Sequence, residues 1–191
     1  YYRLLLLDKS GVIGKIISVD SVCTSMRSFE EEIKTGWNSI CAWGPTAVLP
    51  IFQLLGTDYE RKDIISHQIE GSDSYDLFTK VSFVYKEAMA SMKVGQGVKS
   101  EGELIISGTK GYIYVAAPWW KTDYFEIRYE NPADNKRYFY QLDGEGIRYE
   151  LVTFIKSIKE AQSHSYIEKS VSSAIIQLIQ DYYSNVDVIK I

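Results

Sequence analysis

The stretch from Asp63 to Leu142 reads almost entirely as β-strand, and it constrains the fold more than any other feature. Seven segments rich in β-branched and aromatic residues are separated by short turns. Strands joined by short connections pair as an antiparallel meander, because parallel neighbours need a long crossover. We therefore predict one open sheet. Its predicted strands are DIISHQIE, YDLFTKVSFVYK, AMASMKVGQ, ELIISGT, GYIYVAA, DYFEIRYE and KRYFYQL.

The segments on either side of this run predict one more strand and three helical regions. Residues 14–25 (GKIISVDSVCTS) alternate in polarity and predict a first strand. Residues 30–56 predict a helix or a broken helix, because Gly44, Pro45 and Pro50 are poor helix formers. Either a kink joins two short pieces, or the backbone approaches another group closely at Gly44. Two amphipathic helices close the chain, with apolar stripes at Ile147, Leu151, Phe154, Ile155 and Ile158, and at Ile167, Val171, Ala174, Ile175, Leu178 and Tyr182.

These elements predict a single α+β domain over residues 1–191, with an open, predominantly antiparallel sheet and helices packed on one face. Eight tyrosines all lie in the predicted strands, and many of their rings are expected on the uncovered face. Tyrosine is common in interfaces, although it is also a good strand former. We favour an oligomer interface on that face. The tyrosines are Tyr75, Tyr85, Tyr112, Tyr114, Tyr124, Tyr129, Tyr138 and Tyr140.

Charge and composition argue against several classes of partner. The net charge is −4 and the chain has no basic run, so no nucleic-acid partner is expected. The longest apolar runs are far shorter than the ~20 residues that span a bilayer, and no membrane partner is expected. Cys23 and Cys41 show no paired spacing, which favours a reducing, cytoplasmic setting. Neither His67 nor His164 has a neighbour at metal-ligand spacing, so no metal site is predicted.

Four segments occur together in an order that matches one enzyme family: SGVIGKIISVD (10–20), GELIISGTKGYIYV (102–115), APWWKTDYFEIRYE (117–130) and GEGIRYELVTFIKSI (144–158). They resemble the C-terminal domain of the Gfo/Idh/MocA, or glucose-fructose oxidoreductase-like, NAD(P)-dependent oxidoreductases. The resemblance implies an N-terminal Rossmann domain, absent from this chain, that holds NAD or NADP. No cofactor is therefore expected in this chain itself.

The same resemblance implies a role for this domain. In the family the open sheet binds the substrate, here a sugar, polyol or nucleotide-sugar, and forms a homo-oligomer through its exposed face. The chain also begins with YYRLLLLDKSG, the pattern of a helix C-terminus, so we expect the natural polypeptide to start earlier.

The acid–base residues of the family do not match. In the family the broken helix carries Asp-x-Gly-x-His (or Tyr) beneath the nicotinamide. Aligned on Gly44 and on LLG at 54–56, the acid falls on Ala42 and the histidine on Thr46. Alanine transfers no proton and a threonine hydroxyl is a poor general base, so no catalytic residue is assigned. Three interpretations remain: a base elsewhere, such as the family's lysine in the missing domain; altered chemistry on a related ligand; or a non-catalytic scaffold.

Candidate substrate contacts lie around the broken helix and in PWWKT. Tryptophan faces suit the C–H surfaces of sugars, and Lys121 could meet a phosphate or carboxylate, although buried tryptophans are often core residues. We predict a substrate-binding and oligomerisation domain of an NAD(P)-dependent oxidoreductase. The alternative is a non-catalytic dimerisation or sugar-binding module. The candidate residues are Trp37, Asn38, Trp43, Thr46, Trp119, Trp120 and Lys121.

Overall fold

The computed structural model describes residues 11–26, 30, 37–72, 75–139 and 147–191, which form a nine-stranded open sheet and three α-helices. The predicted strands are confirmed, each within a few residues of its expected bounds. The elements are β1 (Ile16–Ser25), α1 (Ser39–Leu55), β2 (Arg61–Gln68), β3 (Asp76–Val84), β4 (Met89–Gln96), β5 (Leu104–Gly108), β6 (Tyr112–Val115), β7 (Tyr124–Arg128), β8 (Lys136–Phe139), α2 (Ile147–Glu160), α3 (Lys169–Tyr183) and β9 (Val188–Lys190).

The strand order is β8-β7-β6-β5-β1-β4-β3-β2-β9. Two antiparallel meanders, β2 to β4 and β5 to β8, flank β1 in the middle of the sheet. β1 runs parallel to β4 and antiparallel to β5. The sequence patterns did not indicate β9, a three-residue edge strand that pairs in parallel with β2. None of the helices described here is long and apolar enough to cross a membrane.

Helix α1 lies on the inner face of the sheet, across β1, β4 and β3. It is apolar on nearly all sides, which suits a helix covered on two sides: the sheet lies below and α3 packs above. Residues 39–55 form one helix that contains Pro45 and Pro50, so the alternative of two short pieces is wrong. Among the described residues, a Cβ at Gly44 would meet only Ile40 of the same helix within 4 Å, at 3.3 Å.

The two C-terminal helices differ in their burial. Val171, Leu178 and Tyr182 of α3 are buried against the core, as the second stripe predicts. Helix α2 departs from the prediction, because its apolar stripe is exposed and no side chain of this helix is buried. The described part of the chain places no element over that stripe. The packing of all the helices on one face of the sheet therefore stays a prediction.

Tyrosines divide between the two faces of the sheet. Tyr112, Tyr114 and Tyr124 lie on the outer face, alternating with buried residues of β6 and β7. Tyr85 is buried and donates to the Gly56 carbonyl, and Tyr138 stacks on the buried Phe125 ring. Tyr75 precedes β3, Tyr129 follows β7, and Tyr140 lies outside the described residues. Among the described tyrosines, Tyr112, Tyr114 and Tyr124 thus occupy the face predicted for an oligomer interface.

A buried ion pair joins α3 to the sheet. Lys62 Nζ of β2 lies 2.8 Å from Asp181 Oδ2 and 2.9 Å from Asp187 Oδ2. Burial by itself would lower the pKa of Lys62, but the bonds to Asp181 and Asp187 outweigh it and raise this pKa above 10.5. Burial alone would likewise raise the pKa of Asp181, yet the bonds from Lys62 and Gln177 hold it below 3.8. The pair anchors the C-terminal segment to β2.

Replacing Lys62 with Met should reduce the free energy of unfolding by about 3–5 kcal/mol, because it leaves the Asp181 carboxylate buried and unpaired. Urea denaturation followed by tryptophan fluorescence measures this loss. Lys15→Met is the matched control: it breaks the exposed Lys15–Glu87 pair, for which no measurable change is expected. Equal effects of the two substitutions would contradict a structural role for the buried pair.

The difference in stability between the wild type and Lys62→Met should also depend on pH. Asp181 has a lowered pKa, so its contribution is complete above its ordinary value of 3.8 and is lost as the pH falls through the lowered value. Lys62 has a raised pKa, so its contribution is complete below 10.5 and is lost as the pH rises through the raised value. The two proteins should therefore converge in stability at both extremes.

Candidate substrate-binding site

Asn38 caps the first turn of α1. The side chain is buried and its Oδ1 accepts a hydrogen bond from the Cys41 N–H at 3.0 Å. Such a cap satisfies one of the backbone donors that a helix start leaves without partners. The same side chain also bonds the Tyr183 hydroxyl, which lies 3.2 Å from Cys41 Sγ. Asn38, predicted as a substrate contact, therefore holds the helix start and the end of α3 in place.

A buried polar network fixes the start of α1 on the sheet. The Ser39 N–H donates to Asp76 Oδ1 at 2.9 Å, and the Ser39 hydroxyl donates to the Asp76 carbonyl at 3.1 Å. The Gln96 N–H donates to Ser39 Oγ at 3.0 Å, and the Thr79 hydroxyl donates to the Asp76 carboxylate. Burial raises the pKa of Asp76, although the bonds from Thr79 and Ser39 act in the opposite direction. The network ties one helix end to both β3 and β4.

Two of the candidate tryptophans form an aromatic pair beside this helix end. The Trp43 Nε1–H donates to Ser25 Oγ at 3.1 Å, at the last residue of β1. The centroids of the Trp43 and Trp120 rings lie 4.9 Å apart, with the planes tilted by 49°. Both residues are half-buried, so part of their surface remains accessible. The structure thus brings together Trp43, Trp120 and Ser25, from α1, the β6–β7 connection and β1.

Trp119 has a different role from its neighbour. It is buried and hydrogen-bonds the Cys23 thiol, whose pKa burial raises to about 12. Its ring meets that of Trp120 edge-on, with centroids 6.1 Å apart. Trp119 is therefore a core residue that supports Trp120, as the alternative interpretation of the tryptophans predicts. Lys121, next in the chain, is exposed, and so is Trp37, which precedes the helix cap.

Ala42 and Thr46, the positions of the family's acid–base pair, lie on one face of α1. Leu49 and Gln53 continue this face at the spacing of a helix, and all four residues are half-buried. Among the described residues, no carboxylate or imidazole bonds the Thr46 hydroxyl. Pro50 has no N–H, so the Thr46 carbonyl also lacks the usual donor four residues later. This face therefore offers a hydroxyl and a carbonyl, without an activating base.

A groove that the sequence did not indicate continues from this face. It has a volume of about 770 Å³ and lies between α1, α2 and the connection to α3. Leu49 and Gln53 form one wall, and Phe154 and Ile158 lie on the other. The Gln53 amide donates to the Tyr166 carbonyl at 3.3 Å, while its buried Oε1 has no partner among the residues that the structure describes. Helical spacing from Thr46 could have identified Leu49 and Gln53.

The histidines lie apart from these features. His67 is exposed on β2, and His164 Nε2 pairs with Glu160 Oε2 at 2.6 Å. Over the ranges that the structure describes, no three His, Cys, Asp or Glu side chains are grouped as a metal site would require. The candidate site therefore consists of the Trp43 and Trp120 rings beside one face of α1.

No protein-family model and no curated protein matches the sequence, but solved structures share its fold. KijD10, a 3-ketoreductase from Actinomadura kijaniata solved with NADP and TDP-benzene, is 11% identical and superposes with a TM-score of 0.80, covering 100% of this chain and 60% of that one. Levoglucosan dehydrogenase, solved with NADH and levoglucosan, is 15% identical with a TM-score of 0.73, covering 96% of this chain and 59% of that one.

At these identities the likeness concerns the fold alone. Both neighbours are oxidoreductases solved with a nicotinamide dinucleotide. The present chain spans about three-fifths of the length of each. Its fold is consistent with the oxidoreductase C-terminal domain that the sequence motifs resemble.

Proposed function

We propose that this chain is the substrate-binding and oligomerisation domain of an NAD(P)-dependent oxidoreductase acting on a sugar, polyol or nucleotide-sugar. The observation that carries the proposal is the fold, which superposes over its whole length on an enzyme solved with NADP and TDP-benzene. About two-fifths of that neighbour has no counterpart here. In this proposal a dinucleotide-binding Rossmann domain, N-terminal on the same polypeptide, supplies that part and holds NAD or NADP.

The Trp43–Trp120 pair is the proposed platform for the substrate. Partly accessible indole faces suit the C–H surface of a sugar ring or a nucleobase, and the Ser25 hydroxyl holds the Trp43 indole in place. The exposed Lys121 ammonium would meet a phosphate or carboxylate of the substrate. Trp37 and Thr46 complete the proposed contacts, while Asn38 and Trp119 position the helix and the platform.

The chemistry of this chain is binding and orientation. The dinucleotide, when bound, supplies the hydride acceptor or donor for the substrate carbon. The accompanying proton needs a base or acid that neither Ala42 nor Thr46 provides. In the proposal that group comes from the dinucleotide-binding domain, where the family carries a lysine. A second candidate function is a non-catalytic sugar-binding or dimerisation module. Ala42 and Thr46 favour it, because neither residue provides the acid or base that catalysis needs.

Measurements of dinucleotide binding test which of the two proposed domains holds the cofactor. The 191-residue chain alone should bind no NAD(H) or NADP(H), because its sequence has no strand, glycine-rich turn and helix unit to hold a pyrophosphate. The full-length polypeptide should bind one of the two dinucleotides in isothermal titration calorimetry. Micromolar binding to the isolated chain would contradict this assignment, and a full-length polypeptide that binds neither dinucleotide would favour the non-catalytic module.

Substitutions at Ala42 and Thr46 test the proton transfer. In the full-length enzyme Thr46→Ala should cost about 0.5–1.5 kcal/mol in transition-state stabilisation, the size of one hydrogen bond, because the hydroxyl has no activating base. The pair Ala42→Asp with Thr46→His should raise dehydrogenase turnover. Ala42→Asn with Thr46→Gln controls for size and polarity. A collapse of turnover in Thr46→Ala would show that this hydroxyl relays the proton.

The outer face of the sheet is the proposed oligomer interface. The Arg128 guanidinium lies 4.4 Å from the centroid of the Tyr114 ring and 6.0 Å from that of Tyr112, so these rings form a cationic and aromatic patch. Changing Tyr112 and Tyr114 to Lys should give a soluble monomer by light scattering, because two more cations would crowd Arg128. Val152→Lys on α2 is the control. A monomeric wild type, or an unchanged mass, would contradict the interface.

A further inference from the structure

Helix α2 carries a large apolar stripe that the described residues leave uncovered. Ile147, Leu151, Phe154, Ile155 and Ile158 recur at helical spacing and are between 49% and 65% exposed. Helices in proteins draw most of their stability from packing such a stripe against a neighbour. Contiguous exposed apolar surface of this kind marks an interaction site. Helix α2 is therefore a candidate interaction surface for a body outside the described residues.

The groove beside α2 belongs to the same uncovered surface. Phe154 and Ile158 lie on both the stripe and the groove, and Leu49 and Gln53 face them from α1. The buried Gln53 Oε1 is an acceptor that lacks a donor among the described residues. A partner that filled the groove would add apolar side chains and one hydrogen-bond donor.

The groove is continuous with the candidate site. Leu49 and Gln53 share their helix face with Ala42 and Thr46. A body seated between α1 and α2 would consequently lie within one helical turn of Thr46, on the side of the substrate platform. The surface that the described residues leave uncovered is thus adjacent to the place where, in the proposal, a dinucleotide approaches the substrate.

We infer that the α2 stripe and its groove are the docking surface for the dinucleotide-binding domain, an inference that rests on the proposed function. The neighbouring structures extend about two-fifths of their length beyond what this fold covers, which provides a body of domain size. A second copy of this chain is a poorer occupant. Paired through α2, it would lie over Ala42 and Thr46 and keep a dinucleotide away from the substrate.

The test uses the full-length polypeptide as wild type, Leu151→Asp and Val152→Asp. The two positions are adjacent on α2 and are 55% and 58% exposed, but only Leu151 lies on the stripe. The comparison therefore controls for the added charge and for helix propensity. Differential scanning calorimetry with and without saturating NADPH or NADH, whichever the wild type binds, measures whether the two domains melt together.

The wild type and Val152→Asp should melt in one transition, which the dinucleotide shifts upward because it binds the folded state. Leu151→Asp should melt in two transitions, of which the dinucleotide shifts only one. A single shifted transition in Leu151→Asp overturns the docking surface and leaves the proposed function intact. A wild type that binds neither dinucleotide overturns both proposals. If Leu151→Asp dissociates an oligomer yet keeps one shifted transition, the occupant is a second copy and the inference is wrong.

A measurement on the wild type keeps the inference testable if Leu151→Asp does not fold. Hydroxyl-radical footprinting of the monomer, separated by size exclusion, reports the exposure of Phe154 and Val152. Phe154 is 63% exposed in this chain, and docking should slow its modification several-fold relative to Val152. If Phe154 and Val152 are modified at rates in proportion to their exposed fractions in this structure, the docking surface is wrong.

Discussion

The burial of α1 on two sides is the constraint on which the rest of this structure depends. The helix carries apolar side chains around most of its circumference, so a sheet alone cannot cover it. The inner face of the sheet covers one side and α3 covers much of another. What remains uncovered is the face of Ala42, Thr46, Leu49 and Gln53. The candidate site lies where this double covering stops.

Buried polar contacts fix the positions of α1 and α3 on the sheet. The Asp76 carboxylate accepts from Ser39 at the helix start, and Ser39 in turn accepts from the Gln96 N–H at the end of β4. At the other side of the core, Lys62 binds Asp181 and so holds α3. Apolar packing alone would allow α1 to slide along the sheet, since it is not directional. The buried bonds prevent α1 from sliding along the sheet. They thereby fix where this helix places the Trp43 indole.

Local patterns predicted the strands β1 to β8 and both closing helices, because alternation and helical spacing are properties of short segments. They did not predict what depends on distant partners. Pro45 and Pro50 suggest an interrupted helix, yet tertiary burial keeps it whole. The three-residue β9 is too short for a pattern. The stripe of α2 was visible in the sequence, but only the structure shows it uncovered. In the site, the Trp43–Ser25 and Ser39–Asp76 contacts join segments that no local rule connects.

The parallel pairing of β1 with β4 places Ser25 opposite Gln96, so both strands end at the same edge of the sheet. A strand exposes alternate residues to opposite faces, and an insertion of one residue exchanges the faces of everything beyond it. An insertion in β1 before Asp20 would turn Ser25 away from the Trp43 indole. The same insertion would remove Asp20 from the outer face, where it accepts a hydrogen bond from Ser91. A change in the length of this one strand would thus disturb contacts on both faces of the sheet at once.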